Sequence, residues 1–414
     1  MPFVPGQPKH ARRLALVDEA FRSLPGRYLG TESGLDATYR IVLGDIGHVW
    51  EVRCTRSAAR VHRGATRRKP DVEIATTWDT WMRLRQGEIS GVDAFSQGLL
   101  GVRGNLDYAI CFEAMFRLPG DRPPLLRIDE VAVGRERIST LTMGRGEDVL
   151  LLHGLGGTRA SLFQAAAALA DRYRVHLPDL PGFGSSSKPA FGAYNAPWFS
   201  EIMLGLMDQL GIGSARVIGN SMGGRVAIEM ALTAPERIEG LVLLCPAVAW
   251  IRRGLHAAVR LLRPELGMLP HNFRRSLVAS QFWSMFHDRD VLDPAVGELM
   301  VDEFRRIYHS AGARCAFLAS ARNIYLEPPF GKNGFYPRLA TLDRPALFIW
   351  GSHDPLVPPA FARHVAKWLP NAEQVTLERC GHVPQVELPT ETNELVASFF
   401  DRIEPADHQL ARAA

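Results

Sequence analysis

The run ARVIGNSMGGRVA, residues 215–227, narrows most sharply what this 414-residue chain can fold into. A short apolar stretch with strand character passes directly into MGGRVAIEMAL, which has helical character, and Ser221 stands at the junction. Gly219 and Gly223 flank it in the pattern G-x-S-x-G. So sharp a strand-to-helix turn holds the serine hydroxyl at its tip, in a backbone conformation that costs free energy. Side chains at the two flanking positions would strike the neighbouring strand and helix, so both are glycine. The helix that follows aims its N-terminus at the hydroxyl, where it favours developing negative charge. The motif demands a strand–turn–helix unit inside an α/β domain, and it nominates Ser221 as a nucleophile.

A serine hydroxyl needs a base, and the base needs a third group to hold it. For this kind of turn the expected chain order is serine, acid, histidine. The apolar segment Ala346–Trp350 ends in a loop carrying Asp354, and the segment Glu373–Leu377 leads to a loop carrying His382. Asp354 and His382 are therefore the expected acid and base, with His382 taking the Ser221 proton. His353 points away from Asp354, because adjacent residues at a strand end diverge. Cys245, at the end of another strand segment, could occupy an acid's place, but a thiol cannot do that work at neutral pH. Glu387 is expected to open the final helix and to stabilise its dipole. The oxyanion donors are the backbone N–H of Met222, just after the nucleophile, and that of Leu155, where Gly154 lets the chain bend close. His153 reads as a structural residue of that loop, and Asp179 as a turn stabiliser.

Around these motifs the chain divides in two. Leu118-Pro119-Gly120-Asp121-Arg122-Pro123-Pro124 is the strongest break, which places a first domain at 1–118, a linker at 119–125 and a second domain at 126–414. In the second part, strand segments at 148–153, 174–178, 215–219, 240–245, 346–350 and 373–377 alternate with helical ones, the signature of a mostly parallel sheet covered on both faces. Segments 128–133 and 137–142 are expected to pair as a hairpin at one edge. Residues of about 246–343 exceed what a crossover needs, and helical patterns at 256–262, 273–286 and 297–309 predict a cap over the site. Trp250, Phe282, Trp283, Phe286 and Phe317 are candidates for an apolar pocket there. Arg252, Arg253, Arg305 and Arg306 read as solvated surface.

The first part reads as a helix at 11–23, then strands at 37–43, 49–54, 59–62 and 72–75 suited to an antiparallel sheet. Helices at 77–86, 91–97 and 106–116 and a strand at 99–103 complete an α+β order. Residues 1–124 hold 18 Lys and Arg against 14 Asp and Glu, so the entire net charge of +4 lies there. Arg53, Arg56, Arg60, Arg63, Arg67, Arg68 and Lys69 cluster, either as charges on a solvated strand edge or as a seat for an anionic head group. No aromatics interleave with them, which argues against nucleic acid.

HGLGG (153–157), DLPGFGSS (179–186), GNSMGG (219–224), WGSHDPLVP (350–358) and GHVPQVELP (381–389) occur in the order found in the α/β-hydrolase superfamily, which the C-terminal part resembles. The resemblance implies an α/β fold with a mostly parallel eight-stranded sheet, a helical cap, and no cofactor. Haloalkane dehalogenases and epoxide hydrolases of that superfamily carry an aspartate nucleophile, so Ser221 sets this chain apart from them. The stretch from Pro70 to Phe112 resembles the sterol carrier protein type 2 family, which implies a small α+β lipid-carrier domain with an apolar tunnel.

Five scattered cysteines with no paired spacing point to free thiols and a cytoplasmic protein. No metal motif occurs, and no run approaches the ~18 apolar residues of a membrane span. The N-terminal residues contain no signal-peptide core. The expected activity is hydrolysis of a carboxylic ester or thioester with an apolar, lipid-like acyl group, through a covalent acyl-enzyme. Two alternatives stand beside it. One is a carbon–carbon bond hydrolase of ring-cleavage diketones, although HGLGG lacks the G-P-G loop often seen there. The other is a catalytically silent lipid carrier. Oligomeric state is left open by the sequence.

Overall fold

Alternating burial builds the first sheet. Tyr39, Ile41 and Leu43 of Ala37–Leu43 (β1) are wholly buried, as are Val52 and Cys54 of His48–Cys54 (β2). With Ala59–Arg63 (β3), Val72–Thr76 (β4) and Gly101–Gly104 (β5), they form a five-stranded sheet ordered β3-β2-β1-β4-β5. The computed structural model describes residues 7–403 apart from 32–35, 252–255, 262 and 270–273. Helix Gln7–Arg27 sends Phe21 between Trp50 and Trp81, stacked at 4.6 and 4.7 Å, and these rings centre the core.

One pairing departs from expectation. β1 and β4 run parallel, so the sheet is mixed rather than antiparallel. β3 pairs antiparallel with β2 at the edge, so residues 64–71 must carry the chain back across before β4 enters alongside β1. The cationic cluster follows the edge strand β3, where Arg63 pairs with Asp18 at 3.0 Å and Arg53 of β2 with Asp36 at 2.9 Å. The segment expected as a linker begins as a turn: Leu118 N–H donates to the Arg122 carbonyl, with Asp121 at φ 61°. One compact unit takes in the chain up to Ile128 together with Ala295–Leu299, and the other takes in Asp129–Pro294 and the chain from Met300.

The second sheet contains Leu126–Val133 (β6), Glu136–Gly144 (β7), Glu147–Leu152 (β8), Tyr173–Pro178 (β9), Ala215–Asn220 (β10), Ile238–Leu244 (β11), Ala346–Gly351 (β12) and Glu373–Leu377 (β13). Their order is β13-β12-β11-β10-β8-β9-β7-β6. The pairs from β13 through to β9 are parallel, and β7 joins β9 antiparallel. β10, β11 and β12 are buried along their whole length, which explains why they read as continuous apolar runs. The mostly parallel sheet matches expectation. Parallel strands end on one side of the sheet, so the loops after β8, β10, β12 and β13 gather there.

Between β11 and β12 lies the helical cap. Its helices among the described residues are His256–Leu261, Arg275–Trp283, Pro294–Arg305, Ala311–Leu326 and the short Phe335–Leu339, with 3₁₀ turns at Pro264–Met268 and Arg306–His309. Ala311–Leu326 is the longest and was not marked by the sequence pattern. Its sequence, AGARCAFLASARNIYL, spreads small residues round the helix instead of gathering an apolar stripe.

Candidate active site

Ser221 adopts φ 52° and ψ −114°, the strained turn that the motif demands. Its N–H donates to the Leu244 carbonyl at 2.9 Å, and its own carbonyl accepts from Arg225 N and Ala247 N. The flanking glycines are required by space. A Cβ at Gly219 would lie 2.5 Å from the Gly223 backbone, and one at Gly223 would lie 2.1 Å from the Leu152 carbonyl oxygen. Gly224, not singled out in the sequence, is equally confined: a Cβ there would meet Pro246 at 2.8 Å.

Asp354 and His382, from the loops after β12 and β13, are both buried and lie together, with His382 Nδ1 2.7 Å from Asp354 Oδ2. The carboxylate accepts, so Nδ1 carries the proton and Nε2 presents its lone pair. Oδ1 of Asp354 accepts the N–H groups of Leu356 and Val357 at 2.8 and 2.9 Å, which fixes the carboxylate plane. His382 N–H donates to the Met285 carbonyl at 2.7 Å. Asn220 Nδ2 donates to the carbonyls of Leu244 (3.0 Å) and His382 (3.2 Å), tying the turn around Ser221 to the histidine loop. Nothing in the sequence marked Asn220 for this, because both its acceptors are main-chain atoms.

Cys245 lies in the same cluster, with Sγ, an Asp354 oxygen and a His382 nitrogen all within 4.8 Å of one another. Burial, with Asp354 and Cys380 close by, pushes its thiol well above the ordinary cysteine range, so it stays a neutral S–H. All five cysteines are free thiols.

The loop after β8 approaches from the other side. A Cβ on Gly154 would stand 3.3 Å from Ser221 Cβ, so the next residue, Leu155, lies beside Ser221. His153 holds this loop. Leu180 N–H donates to its Nε2 at 2.9 Å, so Nδ1 bears the proton and donates to the Gly154 carbonyl at 2.8 Å. Complete burial lowers its pKa and keeps it neutral. Asp179 accepts from Arg159 N and Ser185 N, both at 2.9 Å, closing the turn expected of it. Met222 opens helix Met222–Thr233, where the first amide groups lack intrahelical acceptors.

Glu387 does not open the final helix. It ends the short helix Pro384–Glu387, is 2% exposed, and accepts N–H groups from Gly381 (2.7 Å), His287 and Asp288 (2.8 Å each). The acid in the first turn of Pro389–Arg402 is Glu391.

Ser221, Leu155 and His382 line one cavity of about 320 Å³ with a mostly apolar wall. Trp250, Phe282, Phe286 and Phe317 contribute to it as expected. Trp283 is absent from the lining and packs on Phe282 and Phe286 instead, with ring centres at 5.1 and 5.4 Å. Met285, Ile324 and Tyr325 line it without having been marked. Arg306 pairs with Glu303 at 2.9 Å, whereas Arg252 and Arg253 lie outside the described residues.

Residues 149–395 match the family model of the alpha/beta hydrolase family, and residues 29–117 that of the SCP-2 sterol transfer family. The chain is 30% identical over 268 residues to a pimeloyl-[acyl-carrier protein] methyl ester esterase of Aeromonas hydrophila, covering 63% of this chain and 98% of that protein. It is also 30% identical over 286 residues to a 2-hydroxymuconate semialdehyde hydrolase of Pseudomonas putida, covering 66% and 93%. A solved bacterial membrane phospholipase A, described as a virulence factor, superposes with a TM-score of 0.57 at 26% identity, covering 67% of this chain and 86% of that one.

Proposed function

The chain belongs to the alpha/beta hydrolase family, and from that premise we propose that it cleaves a carboxylic ester or thioester with an apolar acyl group, with Ser221, His382 and Asp354 as its triad. The carrying observation is that Ser221, in its strained turn, and the Asp354-bound His382 line one mostly apolar cavity. Ser221 Oγ attacks the acyl carbonyl while His382 Nε2 takes its proton. Asp354 steadies the imidazolium that forms. The Met222 and Leu155 amides hold the oxyanion. His382 then protonates the departing alcohol or thiol, leaving an acyl group on Ser221. Water, deprotonated by the same nitrogen, releases the acid and restores the hydroxyl.

The esterase relative supports this reading, and so does an apolar wall suited to an acyl chain. The first unit, through its match to the SCP-2 sterol transfer family, is proposed to bind a lipid-like molecule of the kind the second unit hydrolyses. The test is initial rates on p-nitrophenyl esters from acetyl to palmitoyl, for wild type and Ser221→Ala. Wild type should turn over with an optimum at a medium or long chain, and the variant should lose at least about 10³-fold. No turnover by folded wild type would sink the ester reading.

The semialdehyde hydrolase relative favours a second reading, hydrolysis of a carbon–carbon bond in a ring-cleavage diketone. Such dienoates absorb strongly. Their bleaching by the protein, without activity on esters, would select it.

A further inference from the structure

Glu387 gathers two segments that lie about a hundred residues apart in sequence. One oxygen, Oε2, accepts the N–H of Gly381, next to His382. The other, Oε1, accepts the N–H groups of His287 and Asp288 in the cap. A fourth bond runs the same way, from His382 N–H to the Met285 carbonyl. The fit is close: a Cβ on Gly381 would lie 2.3 Å from the Met285 carbonyl oxygen and 2.8 Å from His287 N. Phe282, Met285 and Phe286, from the same stretch of the cap, form part of the cavity wall. Cavity wall and proposed base are therefore joined through main-chain hydrogen bonds, with one buried carboxylate as hub.

Resting on the hydrolase reading above, we propose that Glu387 is a positioning residue that makes the orientation of His382 depend on whether the acyl pocket is filled. An acyl chain long enough to press on Phe282, Met285 and Phe286 holds the 285–288 backbone in place. That backbone holds Gly381 through Glu387 and His382 directly. A short acyl group leaves the wall free to shift, and the imidazole with it. Acyl length thus acts on kcat and not only on KM. A carboxylate accepting three backbone N–H groups is suited to this task because charge-assisted bonds are strong and tie backbone, not mobile side chains.

The experiment compares wild type, Glu387→Gln and, as a control for a helix-dipole effect, Glu391→Gln on acetyl to palmitoyl p-nitrophenyl esters. Rates of Ser221 labelling by a fluorophosphonate are read alongside. Wild type and Glu391→Gln should show kcat rising at least tenfold from acetyl to the optimal chain. In Glu387→Gln that rise should shrink to about twofold or less, with KM still falling as the chain lengthens. Equal loss at every chain length, or an unchanged profile, overturns the proposal. Should Glu387→Gln fail to fold, amide hydrogen exchange on wild type gives a second reading. Peptides containing residues 285–288 and 381–382 should gain protection together when Ser221 carries a long-chain phosphonate, and less with a methyl phosphonate. Independent protection of the two peptides overturns the coupling. Wild type that neither turns over an ester nor takes the label removes the hydrolase reading itself, a result recognisably different from an active enzyme with an unaltered Glu387→Gln profile.

Discussion

In the first unit, the carboxyl of Glu113 is held where ionisation is costly. Oε2 accepts the Gly91 N–H, and Oε1 is buried without a partner. Burial pushes its pKa up to about 7; the Gly91 N–H opposes that rise and the nearby Asp93 adds to it. The unfolded chain releases this proton near pH 4.5, while the folded chain keeps it until about pH 7. Stability of the first unit therefore falls as pH rises through that window and levels off above it. Glu113→Gln should remove the slope. Urea unfolding of the full chain should show the variant's advantage growing between pH 4 and pH 8 by on the order of 3 kcal/mol, at about 1.4 kcal/mol per pH unit between the two values. At this scale the sequence was informative wherever a residue's neighbours in sequence define its place in the fold. Ser221 and Asp354 each follow a buried apolar strand, His382 follows the partly exposed strand Glu373–Leu377, and Gly219 and Gly223 answer to one local turn. Glu387 and Asn220 were illegible in these roles because their partners are distant backbone atoms, which any residue can supply.

Among elements, the helix after Ser221 is anchored by buried charge. Arg225 is 2% exposed and pairs with Glu229 at 2.8 Å and with Glu327, just beyond helix Ala311–Leu326; Glu229 also binds Arg338. Burial alone would lower the Arg225 pKa, but Glu327 and Glu229 outweigh it and the guanidinium stays charged. Arg225→Met leaves two carboxylates short of a partner, and should cost about 3–5 kcal/mol of stability by denaturant unfolding. Arg225→Met with Glu327→Gln should recover part of that loss, since one uncompensated charge is gone. A pairing of this kind cannot be read from a sequence in which Arg225 and Glu327 are a hundred residues apart. In the first sheet strand existence was legible from alternation, but strand direction was not. Periodicity gives the same pattern for β4 whichever way it runs, and the parallel pairing with β1 follows from the crossover at residues 64–71. The longest cap helix carries no apolar stripe in its sequence because small residues are spread round it.

For the whole molecule, the likeness of the two parts to two different families was legible because the pattern changes character near residue 120, from mixed strands and helices to alternating ones. If the first unit delivers what the second cleaves, removing it should matter only for poorly soluble substrates. Residues 126–414 should match the full chain on acetyl and butyryl esters and fall at least several-fold behind on palmitoyl esters, and residues 1–124 should bind a fluorescent fatty-acyl probe. Equal long-chain rates together with no probe binding would separate the two units functionally. The attachment of the cap to the histidine loop bears on how such a protein can change over generations. The groups that meet Glu387 and His382 there are two backbone N–H groups and one backbone carbonyl, which every residue but proline carries. Side chains along 285–288 can therefore drift, and the pocket wall with them, while the attachment survives any substitution that preserves the path of the chain. New substrate ranges are reachable in single steps, whereas a shift of one residue in the spacing before that segment would put the wrong backbone groups opposite the carboxylate.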